Sequence, residues 1–185
     1  MGYAIAEKLA DEGAEVILVS GPVSVSTKQS GIKIISVESA EEMYTACVEN
    51  FPECDGAVMT AAVADFSPAN PLPEKNKRGK ENWLLELKPT HDIAAALGKL
   101  KKNGQLLVGF ALETTDEKNS AQNKLRKKNL DFIVLNSLKD RGAGFGVDTN
   151  KITIIDKDNN QQAFELKSKR EVAADIVEKI VSLMD

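Results

Sequence analysis

The stretch Gly56-Ala57-Val58-Met59-Thr60-Ala61-Ala62-Val63-Ala64-Asp65 determines how the rest of the chain is interpreted. Its first four residues carry no charge and predict a short strand that is buried in a sheet. The small side chains that follow let a ligand approach the backbone, and Asp65 stands where the chain leaves the sheet. Ten residues after Asp65, Lys75-Asn76-Lys77-Arg78 places three cations on a loop rich in proline and asparagine. A carboxylate and a basic loop suit a bound nucleotide, because open α/β sheets bind ligands at the carboxyl ends of their strands.

Predicted helices and strands alternate before this stretch, as they do in a doubly wound α/β sheet. One strand there, over residues 15–20, is a continuous apolar run, which predicts burial on both faces. The other predicted elements are a helix over 2–12 that Gly13 closes, a strand over 32–37, a helix from Ser39 as its cap to 50, and a strand over 56–59.

The alternation continues after the stretch, beyond a long polar loop over residues 66–82. The predicted elements are a strand over 83–87, a helix over 91–101 capped by Thr90, a strand over 105–110, a helix from Thr114 or Thr115 to 129, a strand over 131–135, hairpin strands over 151–155 and 162–166, and a helix over 170–184. We therefore expect residues 1–185 to form one three-layer, Rossmann-like α/β domain. Its sheet is mainly parallel, with helices on both faces and an antiparallel hairpin near the C-terminus.

Composition narrows the classes of function. A net charge of −4 and a pI of about 5.2 argue against nucleic acid as a partner. No apolar run approaches the length of a membrane span, and no signal peptide is recognisable, so we expect a cytoplasmic protein without membrane contact. Cys47 and Cys54 lack further metal ligands at zinc-site spacing, which argues against a zinc site.

The first residues depart from the usual α/β order. Parallel α/β domains commonly open with a strand whose following turn carries a glycine-rich phosphate loop. This sequence opens directly in a predicted helix, with Gly2 at its start. We interpret this order as a domain that lacks its first strand.

Seven short motifs, found in order along the chain, resemble those of phosphopantothenoylcysteine synthetases. They are Met1-Gly2-Tyr3-Ala4-Ile5-Ala6, Val19-Ser20-Gly21-Pro22-Val23, Ala61-Ala62-Val63-Ala64-Asp65, Lys75-Asn76-Lys77-Arg78, Gly109-Phe110-Ala111-Leu112-Glu113-Thr114, Lys128-Asn129-Leu130-Asp131 and Gly144-Phe145-Gly146. In bacteria this synthetase is commonly the C-terminal half of a bifunctional coenzyme A biosynthesis protein.

The resemblance implies a ligase that joins L-cysteine to 4′-phosphopantothenate. The carboxylate of 4′-phosphopantothenate attacks a nucleoside triphosphate, and the amine of cysteine then displaces the nucleotide from the acyl-nucleotide intermediate. The implied co-substrate is CTP, with ATP left open, and Mg²⁺ is the implied metal, with no residue assigned as its ligand. A homodimer is implied as well. The predicted hairpin over residues 151–166 is one candidate for the surface that contacts the second copy. A flavin-dependent decarboxylase is the implied fused or associated protein.

The resemblance also assigns roles to individual residues. Lys75 is the catalytic candidate, acting in the conversion of the acyl-nucleotide to product, and Asn76 replaces the aliphatic residue usual between the two lysines of that motif. His91 begins a helix start that usually reads Asn-Pro-Asp-Ile in the family. The implied nucleotide-binding residues are Met59, Thr60, Ala61, Asp65, Lys75, His91, Asp92, Ile93, Ala94, Phe110, Lys124 and Lys128.

Family members carry, before the position of Met1, a strand and an asparagine-containing loop that contact substrate. From the resemblance we expect residues 1–185 alone to bind nucleotide weakly and to show low or no ligase activity.

Two other functions stay open at the level of sequence. A degenerate nucleotide-binding or regulatory subunit would keep the fold without ligase activity. An NAD(P)-binding oxidoreductase is disfavoured, because the Gly-x-Gly-x-x-Gly fingerprint after a first strand and a Tyr-x-x-x-Lys pair are both absent. Structural explanations exist for single residues too: Asp65 can form a turn, Phe110 can belong to the core, and His91 can be no more than the first residue of a helix.

Overall fold

The computed structural model describes residues 1–72, 74–75, 77, 82–113, 117–137 and 147–184. The helices and strands of these residues are α1 (Gly2–Asp11), β1 (Val16–Ser20), β2 (Ile32–Ser36), α2 (Ala40–Asn50), β3 (Gly56–Met59), β4 (Phe66–Pro68), β5 (Leu87–Pro89), α3 (Ile93–Leu100), β6 (Leu106–Glu113), α4 (Glu117–Lys127), β7 (Phe132–Ser137), β8 (Thr149–Asn150), β9 (Ile152–Asp156), β10 (Gln161–Ala163), β11 (Lys167–Ser168) and α5 (Lys169–Met184). A short 3₁₀ turn, Phe51–Glu53, follows α2.

A five-stranded sheet in the order β10-β9-β7-β6-β3 forms the centre of the molecule. Strands β3, β6 and β7 run parallel, whereas β9 is antiparallel to β7 and β10 is antiparallel to β9. The predicted α/β class, the mainly parallel arrangement of the core strands and the terminal hairpin are therefore confirmed. The hairpin turns at Asn159, whose φ of 67° is a left-handed conformation that asparagine tolerates.

Two apolar clusters, one on each face of this sheet, form the core. Successive residues of a strand point to opposite faces, so Leu107 and Val108 belong to different clusters, as do Phe132 and Ile133. On one face the buried strand residues pack against α5 and Ile5 of α1. On the other face they pack against α3 and α4. This arrangement is the predicted three-layer sandwich.

Strands β1 and β2 form a separate parallel pair, in register from Val16 opposite Ile32 to Ser20 opposite Ser36. No described strand hydrogen-bonds this pair to the five-stranded sheet. Ile17 in β1 is 38% exposed, so the prediction that this strand is buried on both faces is wrong. A continuous apolar run is typical of a central strand in a large sheet with helices on both faces, whereas β1 belongs to a described sheet of two strands.

The local signals for helix ends are confirmed at two positions. Ser39 and Glu42 form a capping box at the start of α2, in which each side chain accepts a hydrogen bond from the other residue's backbone. Gly13 follows the end of α1 with φ of 90°, a conformation that glycine adopts without steric cost.

Several predicted boundaries are wrong; the strand expected over 162–166, for example, is found at Gln161–Ala163. The expected loop over 66–82 begins with β4, and the expected strand over 83–87 is found instead at Leu87–Pro89, because pairing with β4 selects those residues. Helix α3 begins at Ile93 with Asp92 as its cap, so Thr90 is not the cap and His91 is not helical. The predicted start of α4 at Thr114 or Thr115 lies outside the described residues.

None of the helices in the described part of the chain combines the length and the apolar character needed to cross a bilayer.

Candidate functional site

The carboxyl end of β3 lies beside the middle of β6. Met59 is paired with Gly109, so Thr60, the first residue after β3, lies next to Phe110, which is still within β6. The first turn of α1 packs there too, because a Cβ added to Gly2 would lie 2.7 Å from Oγ1 of Thr60. These contacts place the predicted nucleotide-binding backbone at the edge of the sheet where α/β proteins bind ligands.

Thr90 holds the Asp65 segment (residues 60–65) in place. Its hydroxyl donates a hydrogen bond to the carbonyl of Ala64 at 2.6 Å, and its backbone N–H donates one to the carbonyl of Asp65 at 2.9 Å. The Asp65 segment is thereby fixed to the residues that lead into α3, and Asp65 is itself exposed. The sequence prediction used Thr90 as a helix cap and missed this role, since a threonine before a helix is a familiar capping signal.

His91 packs against α2 instead of beginning a helix. Its ring stacks on Tyr44 with centroids 4.4 Å apart, and its Nε2 lies 3.6 Å from a carboxylate oxygen of Glu41. These contacts join α2 to the segment before α3. Tyr44 and Glu41 gave no sequence signal of a site, because both lie on a helix surface far away in sequence.

Asp92 is the centre of a charged cluster at the start of α3. Its carboxylate accepts a hydrogen bond from the backbone N–H of Ala95 at 3.0 Å and pairs with Nζ of Lys128 at 2.9 Å. Partial burial, the largest single influence, would raise the pKa of Asp92, but the N–H groups of Ala95 and Ala94 and the Lys128 ammonium together hold the pKa below its ordinary value. The backbone amides at the start of α3 are thus partly occupied by the Asp92 side chain.

Lys128 reaches this cluster from the far end of α4. Its backbone packs against α3, where a Cβ added to Gly98 would lie 2.1 Å from the Lys128 carbonyl oxygen. Asn129 secures the contact through a hydrogen bond from its side chain to the Gly98 carbonyl at 3.0 Å and has a left-handed φ of 53°. Since the Lys128 ammonium is at Asp92, its side chain runs along α3 toward the helix start. Lys124 lies one turn earlier on α4.

The apolar residues of the predicted site belong partly to the core. Phe110 is half-buried and packs against the cluster that contains α5, whereas Met59 and Ile93 pack against the opposite cluster. Ala61 is exposed and Ala94 is half-buried. The structural interpretation of Phe110 therefore has direct support, and its position beside Thr60 still places the residue at the candidate site.

Lys75 is exposed, and within the described parts of the chain no hydrogen bond or ion pair connects it to the other candidate residues. Asn76, Arg78 and the predicted glycine loop with Gly144 and Gly146 lie outside the described residues.

A metal site composed of protein ligands alone is not found: the described residues contain no group of three or more histidine, cysteine, aspartate or glutamate side chains that could hold an ion. Mg²⁺ in nucleotide sites often needs only one or two carboxylates, because water and substrate phosphates supply the other ligands. The exposed carboxylates of Asp65 and Asp92 fit that kind of binding.

Replacing Asp92 with asparagine is expected to lower the free energy of unfolding by about 1 kcal/mol near neutral pH. Asparagine can still cap α3, so the loss isolates the ion pair with Lys128. Because the folded-state pKa of Asp92 is lowered, its contribution is present above the unfolded-state pKa and is lost as pH falls through the folded-state value. Urea unfolding at several pH values should therefore show the difference between the two proteins shrinking in acid. A difference that is constant with pH would contradict this account.

Comparison with known proteins gives consistent matches. The model of the family described as DNA/pantothenate metabolism flavoprotein C-terminal domain matches residues 1–184. A prokaryotic protein of unknown organism, named cysteine/cysteine sulfinic acid decarboxylase, is 59% identical over 184 residues, which cover 100% of this chain and 51% of the relative. The coenzyme A biosynthesis bifunctional protein CoaBC of Bacillus subtilis (strain 168) is 45% identical over 183 residues, which cover 99% of this chain and 45% of the relative. The chain thus spans about half the length of these curated relatives.

A solved structure agrees with the sequence matches. The crystal structure of the C-terminal domain of coenzyme A biosynthesis bifunctional protein CoaBC superposes with a TM-score of 0.78 at 38% identity. The superposition covers 97% of this chain and 79% of that domain, so the likeness extends over the whole sandwich.

Proposed function

The chain belongs to the DNA/pantothenate metabolism flavoprotein C-terminal domain family, and on that premise we propose that it forms the ligase that joins L-cysteine to 4′-phosphopantothenate in coenzyme A biosynthesis. The membership confirms the family expected from the sequence motifs. One observation carries the proposal: Thr90 ties the Asp65 segment to the start of α3, where Asp92 meets Lys128. Two hydrogen bonds and one ion pair thereby link three segments that are distant in sequence.

The proposed reaction has two steps. The carboxylate of 4′-phosphopantothenate attacks the α-phosphorus of a nucleoside triphosphate, forming an acyl-nucleotide and releasing pyrophosphate. The amine of cysteine then attacks the acyl carbon, and the nucleoside monophosphate leaves as the amide forms. CTP is the proposed nucleotide, with ATP as the alternative. Negative charge on the phosphates favours the fixed ammonium groups in such a site.

Lys128 and Lys124 are proposed to bind the triphosphate. The Lys128 ammonium now pairs with Asp92, and both side chains are partly exposed, so a phosphate can replace the carboxylate as the partner of Lys128. Asp92 is then free to accept a ligand of its own at the start of α3. Mg²⁺, carried with the nucleotide, would neutralise phosphate charge, with Asp92 and Asp65 as the available carboxylates.

Replacing Asp65 with alanine is expected to weaken nucleotide binding by about 10- to 100-fold, which corresponds to losing a hydrogen bond to a charged group. Isothermal titration with CTP and with ATP measures the effect. Asp55→Ala is the matched control, because Asp55 is an exposed carboxylate at the opposite end of β3. Equal losses in both variants would show that general surface charge, not the position of Asp65, is responsible.

Pyrophosphate release decides the proposed function. The ligase predicts that the protein releases pyrophosphate only when the nucleotide and 4′-phosphopantothenate are both present, and forms the amide when cysteine is added. For residues 1–185 alone the expected rate is low, so the assay is run at high protein concentration and over long times. Binding of nucleotide without release under all these conditions would favour the regulatory subunit. Binding of NAD(P) with no binding of CTP or ATP would favour the oxidoreductase.

One relative's name points to a different reaction, the decarboxylation of cysteine or cysteine sulfinic acid. That name describes a protein about twice as long as this chain, so the same assay includes carbon dioxide release from both compounds. Release by this chain, without pyrophosphate formation, would replace the ligase proposal.

The proposed ligase acts as a homodimer, fused to or associated with a flavin-dependent decarboxylase. The fusion is supported by the bifunctional name of the Bacillus subtilis relative, of which this chain covers 45%.

A further inference from the structure

Three consecutive residues before α3, hereafter the anchor segment (residues 90–92), are each tied to a different part of the molecule. Thr90 is bonded to the Asp65 segment through its hydroxyl and its backbone N–H. Asp92 caps α3 and pairs with Lys128 at the end of α4. The ring of His91, between them, stacks on α2. The anchor segment is therefore where α2 meets the candidate site.

The contact between His91 and α2 depends on ring stacking more than on charge. The ring centroids of His91 and Tyr44 lie 4.4 Å apart at an interplanar angle of 23°, which is a stacked arrangement. The carboxylate of Glu41 lies 3.6 Å from Nε2 of His91, but the two side chains are 68% and 60% exposed, so solvent screens this pair. Tyr44 is half-buried, and its hydroxyl makes no hydrogen bond to a described residue. The ring of Tyr44 is thus the part of α2 that holds the anchor segment.

Helix α2 provides a fixed support for this stack. Its last turn leads into Phe51, which is 2% exposed and packs in the same apolar cluster as Leu97 of α3. The Phe51 carbonyl accepts a hydrogen bond from the side chain of Gln105, directly before β6, so this end of α2 lies at the amino ends of the parallel strands. The two helices thus meet in the core at the end away from the candidate site, and again through Tyr44 and His91 beside it.

We propose that Tyr44 is a positioning residue of the candidate site: acting through His91, it fixes the anchor segment and thereby the Asp65 segment that the nucleotide is proposed to meet. This inference rests on the proposed function for its consequence, the binding of nucleotide. Without the stack, the anchor segment populates further conformations. The apparent affinity for the nucleotide then falls with the fraction of molecules that keep the competent one.

The stack itself can be observed directly, because His91 is the only histidine of the chain. Its ring C–H signals in a proton NMR spectrum should be displaced upfield by the ring current of Tyr44. Spectra recorded at alkaline pH keep the imidazole neutral in every variant. Tyr44→Phe should keep the displacement, since phenylalanine offers the same ring, and Tyr44→Leu should abolish it. A displacement that survives Tyr44→Leu overturns the proposal.

Hydrogen exchange measures whether the stack holds the Asp65 segment. The N–H of Thr90 is bonded to the Asp65 carbonyl at 2.9 Å, and the N–H of Leu106 is bonded at 2.9 Å to the carbonyl of Asp55, at the opposite end of β3. Tyr44→Leu should speed exchange at Thr90 by roughly 3- to 10-fold relative to Leu106, in line with the loss of an aromatic pair. Tyr44→Phe should leave that ratio unchanged. Equal acceleration at both positions would mean a general loss of stability and would overturn the positioning role.

Calorimetric titration with CTP, and with ATP, measures the consequence for binding. Tyr44→Leu should weaken nucleotide binding by roughly 3- to 10-fold. Tyr44→Phe and Glu41→Gln are the matched controls and should change it by less than about twofold, because neither removes the stack. His91→Ala should weaken binding as well, and in that background Tyr44→Leu should have no further effect. Additive losses in the double variant would overturn the route through His91.

The NMR and exchange measurements need no nucleotide, so they separate this inference from the proposed function. If the unaltered chain binds neither CTP nor ATP while the exchange ratio at Thr90 changes as expected, the proposed function fails and the positioning of the Asp65 segment stands. If the Tyr44→Leu variant binds nucleotide as tightly as the unaltered chain, the inference fails and the proposed function stands.

Discussion

Replacing Lys75 with alanine is expected to slow amide formation by about 10²- to 10³-fold, while the pyrophosphate released in the first turnover stays close to that of the unaltered protein. The ammonium of Lys75 is proposed to act after activation, when charge develops as cysteine attacks the acyl-nucleotide. Removing it should therefore leave the first step intact and allow the intermediate to accumulate. Rapid quenching followed by chromatography measures the intermediate and the amide in the same samples.

The control for this prediction is Lys99→Ala. Lys99 is an exposed lysine on α3, so its removal changes the net charge equally without touching the candidate site. Equal losses of both steps in the Lys75 variant would mean that Lys75 binds the nucleotide and has no separate role in the second step.

Replacing Gly98 with alanine is expected to destabilise the protein by about 3 kcal/mol, lowering Tm by about 6–12 °C. The new Cβ would lie 2.1 Å from the carbonyl oxygen of Lys128 and 2.8 Å from its carbonyl carbon, and both are backbone atoms that cannot rotate away. Helix propensity alone predicts the opposite effect, an increase of about 1 kcal/mol in the free energy of unfolding. Thermal unfolding followed by circular dichroism therefore distinguishes the two effects by direction.

Gly21→Ala is the matched control for Gly98. A Cβ at Gly21 would meet only the terminal methyl of Met43 at 3.8 Å, an ordinary contact, so Tm should change little. If the Gly98 variant proves as stable as the unaltered chain, α3 and α4 can separate without cost. The contact would then not be what fixes the Lys128 ammonium beside Asp92.

Much of the fold could be predicted because its signals are local. The capping box of Ser39 and Glu42, the left-handed Gly13 and the apolar runs of the central strands each act within a few residues. Predictions failed where pairing over a distance decided the outcome. The strand expected over 83–87 lies at Leu87–Pro89, because its partner is a strand some twenty residues earlier that the sequence presented as loop.

The candidate site likewise contains residues that the sequence predicted and contacts that it did not. Motif residues such as Asp65, Asp92 and Lys128 were identified from the sequence through a family resemblance, but their partners were not. The hydroxyl of Thr90 donates a hydrogen bond to the carbonyl of Ala64, 26 residues earlier in the sequence. The ammonium of Lys128 donates one to the carboxylate of Asp92, 36 residues earlier. Nothing in a single sequence marks such pairs, since each member alone has an ordinary explanation as a helix cap or a solvated lysine.

The sequence by itself thus determined the α/β class, the family and most of the candidate residues. The reason is that the hydrophobic periodicity of helices and strands, helix caps and short motifs each involve only a few neighbouring residues. Only the tertiary structure decided which of those residues meet: that Asp92 occupies the amides at the start of α3, that Thr90 fixes the Asp65 segment, and that His91 stacks on Tyr44 of α2. The physical reason is that these arrangements depend on packing between elements far apart in sequence, such as the close contact of Gly98 with the Lys128 backbone.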